Sequence, residues 1–263
     1  MVKNLSIGRY METHSVIHQL DPRMKLIGII AFVTLLLLSS AWQHYVALAF
    51  YAFVTILLTR IPLVVFIKGI RPLLRIIIFT ALLQILFSGG GNIYWEWGPF
   101  TVSEFGIRGA GIVFLRFFLI IVMTSAIGLS TKPLDLTAAV EYLLAPLKLV
   151  GIAVQDLAFM MSIALRFIPT LFEEGNRLMK AQESRGVQFD EGNFFVRMKK
   201  LTPLFVPIFV GSFYRAQELA NALDVRGYVG SAKRTKFRTL SLRLNDALFF
   251  FGLSGLFLIY IFF

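Results

Sequence analysis

The chain has 263 residues, of which 57% are hydrophobic and 16% charged, with 27 Phe and no Cys. Soluble domains run at about 45 to 50% apolar and about 25% charged, so the apolar excess excludes an ordinary water-soluble fold and points to a bilayer as solvent; the missing Cys excludes disulfides, thiolate metal sites and cysteine nucleophiles. The net charge of +11 would suggest nucleic acid in a soluble protein, but in a membrane protein it reports cytoplasmic loops, where Lys and Arg accumulate.

A spanning helix needs about 20 largely apolar residues, and five segments qualify. Residues 1–24 precede them as a cytoplasmic N-terminal segment. Asp21-Pro22 supplies a capping carboxylate and a Pro at the first turn, and the first two spans, Lys25 to Trp42 and Gln43 to Thr59, follow as a tight helical hairpin. A reading of Leu26 to Leu38 as a cleaved signal sequence is countered by the second apolar segment, which follows at once. Further spans are expected at Pro72 to Ser88, Ile107 to Leu129 and Leu244 to Phe263. Gly89-Gly90-Gly91, Tyr94, Trp95 and Trp97, before the fourth span, read as a flexible outer turn with interfacial aromatics.

The cations segregate along this pattern. Four Lys/Arg lie at or before Lys25, four between the second span and the early third, sixteen from Ser130 to Arg243, and two, Arg108 and Arg116, inside the fourth span. The intervening loops, Ser39 to His44 and Ser88 to Gly106, have none. The expected topology is therefore N-terminus cytoplasmic and C-terminus extracellular.

Residues 131–243 are charged yet rich in Phe, Leu, Ile and Val, and form a cytoplasmic-side module between the spans at 25–130 and 244–263. A short amphipathic element is expected at Pro133 to Leu149, near the membrane surface. From Gln155 to Arg185, polar residues recur as Ser162, Arg166, Thr170, Glu173, Arg177, Lys180 and Ser184, steps of three or four that draw one stripe along a helix. A second helix is expected from about Leu201 to Arg226. Both are apolar first and charged at the end, with apolar halves, Phe159 to Phe172 and Pro203 to Tyr214, too short to cross a bilayer. Their ends share the pattern A-x-[DE]-x-R-G, as Ala181-Gln-Glu183-Ser184-Arg185-Gly186 and Ala222-Leu-Asp224-Val225-Arg226-Gly227. One such end reads as a glycine-terminated helix with a cation against the dipole; two suggest a pair of plugs that present one Arg each to a partner. The exposed apolar side chains Phe167, Phe172, Phe205, Ile208 and Phe209 read as a second partner surface.

With these residues in hand, the chain resembles the transmembrane T component of energy-coupling factor (ECF) transporters. The resemblance rests on Gly8-Arg9-Tyr10, Ser15 to Lys25 as S-x-x-H-x-L-D-P-R-x-K, Pro133 through Pro146, Ser162-Ile-Ala-Leu-Arg-Phe-Ile-Pro169, both Arg-Gly tips, and Arg234-Thr235. It implies an all-α integral membrane scaffold of about five transmembrane helices and three amphipathic coupling helices. The tips would dock in two ABC-type ATPase subunits, and a substrate-binding membrane S component for a vitamin or other micronutrient would complete the importer. In that family the tips read Ala-Arg-Gly; here Ser184 and Val225 depart at the first position.

No G-x-x-x-x-G-K-[ST] occurs, so ATP hydrolysis is expected of partners, and no cofactor or metal is expected in this chain. His14 and His18 stand four apart without a third ligand. Arg116, nine residues into its span, reads either as paired inside the bundle or as a partner contact or gate. Arg108 reads as snorkelling, and Lys68, Arg71 and Arg75 as the cytoplasmic start of the third span. A self-sufficient transporter is the main alternative, but such folds show repeated spans, whereas here the repeat lies in the amphipathic region. An intramembrane enzyme would want acid, base or nucleophile residues inside the spans, where Asp246, at a helix start, is the only acidic residue; topology makes a nucleic-acid partner unnecessary.

Overall fold

The structure, a computed structural model, describes residues 10–11, 13, 15–97, 100–189, 191–230 and 244–262. Among these, the helices in chain order are α1 (Val16–Gln19), α2 (Pro22–Leu38), α3 (Trp42–Thr59), α4 (Leu63–Phe87), α5 (Glu104–Leu129), α6 (Pro133–Leu143), α7 (Val154–Ser184), α8 (Phe194–Val225) and α9 (Leu244–Phe262). A single antiparallel hairpin, β1 (Ile93–Trp97) and β2 (Phe100–Ser103), joins α4 to α5. The protein is an all-α membrane protein, and its chain divides into two compact units: Met1–Ala139 with Arg238–Phe263, and Val140–Phe237.

In the first unit, the core is built where α2, α3, α5 and α9 meet. Phe32 and Leu36 of α2, Leu48 of α3, Met123 and Ile127 of α5 and Leu253 of α9 are buried together. A second cluster joins Phe66 and Ile70 of α4 to Val122 and Ala126 of α5. Outside these seams the helices present aliphatic and aromatic side chains outward, as a bilayer requires. The polar anchor is Lys25, only 1% exposed. Its Nζ donates to the carbonyl of Ser130 at 3.0 Å and to the hydroxyl of Thr131 at 3.3 Å, so it satisfies the end of α5. Asp21 accepts from Arg23 N at 2.9 Å, and its own N–H donates to the buried carboxylate of Asp246 at 2.7 Å. The start of α2, the end of α5 and the start of α9 are thereby tied.

Several boundaries differ from the sequence expectation. α4 begins nine residues before Pro72, which lies inside the helix, so Lys68, Arg71 and Arg75 form an exposed stripe along its first half. The turn between α4 and α5 is a hairpin. Ser103 Oγ donates to the Ser88 carbonyl at 2.5 Å and accepts from Gly106 N at 3.1 Å, which fixes the strand exit and caps α5 in one contact. By length and composition α3, α4, α5 and α7 are able to cross a membrane, whereas α2, at 17 residues, and the apolar part of α9, Asn245–Tyr260, are shorter. The expectation that the apolar half of α7, Phe159 to Phe172, is too short is corrected by length and composition: the apolar stretch begins at Val154 and α7 holds a window apolar enough to cross a membrane.

The expected short element at Pro133 to Leu149 divides into α6 and a 3-10 turn, Ala145–Val150, because Pro146 supplies no N–H for a continuing α-helix. α8 starts seven residues before Leu201. The helices α7 and α8 pack on each other along one seam. Phe159, near the start of α7, stacks on Tyr228, just past the end of α8, with ring centroids 5.1 Å apart. Farther along α7, Glu174 pairs with Arg215 in the middle of α8. Early α7 lies by late α8, so the two run antiparallel.

Candidate functional site

The two Arg-Gly tips are built identically. In α7, Gly186 N donates to Glu183 O at 3.0 Å and Val187 N to Gln182 O at 3.0 Å; in α8, Gly227 N donates to Asp224 O at 2.9 Å and Tyr228 N to Leu223 O at 3.0 Å. Both sets are the paired bonds of a Schellman end, which require a left-handed residue after the cap. The glycines supply it, at φ +86° and +71°. Arg185 and Arg226 are the caps themselves, with φ, ψ of −87°, 7° and −84°, 5°. The glycines are explained by helix termination. The backbone geometry does not require arginine at the caps: both are exposed, as are Glu183, Ser184, Asp224 and Val225, and among the described residues neither guanidinium has an ion-pair partner.

The structure does not bring the two tips together. Because α7 and α8 are antiparallel, Arg185 and Arg226 emerge at opposite ends of the pair.

Of the apolar residues expected to face a partner, Phe172, Phe205 and Phe209 are exposed, Phe209 at 73%. They stand with Val206, Val210 and Phe213 on an open face of α8 and the outer side of α7. Phe167 and Ile208 are half-buried instead. Ile208 turns into the α7–α8 seam, where a Cβ placed on Gly175 would lie 3.6 Å from its Cδ1.

Arg116 is held inside the first unit. Its Nη2 donates to the Tyr45 hydroxyl at 2.7 Å and to the Ser39 carbonyl at 3.2 Å, while the Tyr45 hydroxyl donates to the same carbonyl at 2.8 Å. This triangle closes the turn between α2 and α3. Arg108 pairs with Glu104 at 2.5 Å, one turn away on α5. His18 is engaged on both ring nitrogens, with Ser15 Oγ 2.7 Å from Nδ1 and the Met11 carbonyl 2.9 Å from Nε2; His14, Gly8, Arg9, Arg234 and Thr235 lie outside the described residues. Sequence reasoning missed the Glu174–Arg215 pair. Its signal was present: the two residues are 41 apart, the spacing that separates the tip motifs, and carry opposite charge.

Several helices long and apolar enough to cross a membrane, with an amphipathic helix pair ending in paired Arg-Gly tips, define a multi-pass membrane protein. A family model described as cobalt transport protein (CbiQ) matches residues 13–237. The energy-coupling factor transporter transmembrane protein EcfT 1 of Listeria monocytogenes is 47% identical over 246 residues, 94% of this chain and 92% of that protein. The EcfT proteins of Lacticaseibacillus paracasei and Lactobacillus helveticus are 45% and 39% identical, over 92% and 99% of this chain and 92% and 95% of their own lengths. The chain belongs to the EcfT family of energy-coupling factor transporter transmembrane proteins.

Proposed function

We propose that this chain is the coupling scaffold of an ECF-type importer. Arg185 and Arg226, with the Glu183-Ser184 and Asp224-Val225 residues before them and Gly186 and Gly227 behind, seat the two tips in two ABC-type ATPase subunits. The exposed face around Phe172, Phe205 and Phe209 takes the substrate-binding S component through aliphatic and aromatic contacts. ATP is hydrolysed by the partners, and the S component selects the vitamin or other micronutrient. In this reading residues 131–243 form the coupling module on the cytoplasmic side and the N-terminus is cytoplasmic.

The observation that carries the reading is the repetition of one exposed arginine, on one backbone geometry, at the two opposite ends of a helix pair. Truncating one partner of a buried interfacial charge pair costs roughly 2 to 5 kcal/mol. Arg185→Ala combined with Arg226→Ala should therefore strip the ATPases from the tagged chain during purification in mild detergent, while the S component stays bound. ATPases retained at wild-type stoichiometry, with uptake still coupled to hydrolysis as in the wild type, would leave the arginines with helix capping alone.

A further inference from the structure

The helices α7 and α8 are two copies of one element. Shifting α7 by 41 residues lays it on α8 within one residue at the start and to the residue at the end. The contacts between them obey the same shift. Glu174 and Arg215 are equivalent positions, and they bond to each other. Phe159 of α7 stacks on Tyr228, just beyond the α8 tip; its equivalent, Lys200 of α8, donates through Nζ to the carbonyls of Gln188, at 2.7 Å, and Glu191, at 3.0 Å, just beyond the α7 tip. A bond between equivalent positions, with the equivalent residues Phe159 and Lys200 each reaching the chain just beyond the opposite tip, relates the two elements by an approximate two-fold axis through the self-contact. That axis passes between Glu174 and Arg215.

Equal arms follow. Arg185 lies 11 residues beyond Glu174, and Arg226 lies 11 beyond Arg215, about 16 Å of helix in each case at 1.5 Å per residue. Small residues clear the crossing. A Cβ placed on Gly211 would lie 3.4 Å from Glu174 Oε1, in van der Waals contact, so this glycine stands beside the carboxylate at the crossing. The pair is about two-thirds covered, and Arg215 Nη1 is buried without a partner among the described residues. Removing Glu174 would strand a partly desolvated cation, which makes this pair more than a surface contact.

We propose that Glu174 and Arg215 are positioning residues, the pivot of a two-armed lever whose approximate two-fold axis exchanges the two tips and lets them move by equal and opposite amounts. The inference rests on the coupling reading above and adds its mechanical centre. A charged pair on the axis holds the crossing point by directional bonds while the apolar seam around Ile208 and Gly175 permits rotation.

The chain lacks Cys, so Lys180→Cys and Asn221→Cys place one spin label near each tip, on exposed positions. In the complete complex, purified with its ATPases and reconstituted in lipid nanodiscs, pulsed electron paramagnetic resonance gives the tip-to-tip distance with and without ATP. With the native pair, one narrow distance should shift on ATP binding. With Glu174→Gln and Arg215→Gln the distribution should broaden, and substrate moved per ATP hydrolysed should fall roughly fivefold or more, the lower end of site-to-site coupling. The exchanged pair, Glu174→Arg with Arg215→Glu, should restore both. A neutral variant that keeps the wild-type shift and transport ratio overturns the pivot and leaves the coupling reading standing. An exchanged pair that behaves like the neutral one also overturns it, since the defect then lies in packing and not in the charge pair. A native-pair distance that never responds to ATP overturns the coupling reading, and the pivot with it.

Discussion

A lysine at 1% exposure, three residues into a membrane helix, has to be compensated by its neighbours, and Lys25 is. Two hydrogen bonds reach the end of α5, and the carboxylates of Asp135, Asp246 and Asp21 act on its charge. Lys25→Met leaves the Ser130 carbonyl without its buried donor, and stranding a buried polar group costs roughly 1 to 3 kcal/mol. The thermal unfolding midpoint in detergent should drop accordingly; an unchanged midpoint would contradict this account of the tie. The tip glycines carry a second prediction. Nothing lies within 4 Å of a Cβ placed on Gly186 or Gly227, so Ala at either position meets backbone strain alone, about 1 to 2 kcal/mol in the left-handed region. Hydrogen exchange at the amides of Val187 and Tyr228 should accelerate roughly five- to thirtyfold, the same 1 to 2 kcal/mol expressed as opening. Exchange at the wild-type rate would refute the Schellman assignment. The sequence made the cap at Asp21, the acid at Asp246 and the cation at Arg116 visible singly. Their partners were not legible, because Asp21 and Asp246 stand 225 residues apart and because Arg116 and Lys25 bond to backbone carbonyls of Ser39 and Ser130, which leave no trace in residue identity.

At the scale of elements, α7 was legible almost to the residue: its polar stripe steps by three and four along the whole helix, and its end is marked by Gly186. The start of α8 was not, because Arg197, Lys199 and Lys200 follow Gly192 and Asn193 and resemble a charged loop until Lys200 is seen bonding the Gln188 and Glu191 carbonyls. The hairpin after α4 was hidden for another reason. Ile93 to Trp97 is too short and too flanked by glycine to announce a strand, and the Ser103–Ser88 contact that fixes the strand exit ends on a backbone carbonyl. The same distinction between faces decides how the partner surface is tested. Phe205→Asp and Phe209→Asp place charge on an exposed face of α8, so in co-purification they should release the S component and leave the ATPases attached. Ile208→Glu should act differently, since it puts a carboxylate into the α7–α8 seam beside Gly175 and perturbs both arms. Release of the ATPases by Phe205→Asp or Phe209→Asp alone would move the docking surface elsewhere.

For the whole molecule, the segregation of Lys and Arg predicts that the hairpin and the α7–α8 connection lie on opposite sides of the bilayer. Gly90 is unsuitable for a probe, with φ at +136° and a substituent Cβ only 2.8 Å from Phe105. Tyr94→Cys and Asn193→Cys, both exposed, should instead be labelled by an impermeant thiol reagent from outside and inside, respectively; labelling of both from one side contradicts the arrangement. The legible part of this protein was its membrane character and its two tips, each a local pattern. What relates the tips, a shared crossing at Glu174 and Arg215, is a contact between repeats and emerges only when the helices are placed side by side. The most direct measurement of the central claim is ATP-driven uptake and ATP hydrolysis in proteoliposomes containing the complete complex, with Arg185→Ala and Arg226→Ala introduced together. The account predicts that uptake is lost, either because the ATPases no longer assemble or because hydrolysis continues without transport, while the membrane unit remains folded. Wild-type uptake at a wild-type ratio of substrate to ATP would contradict it.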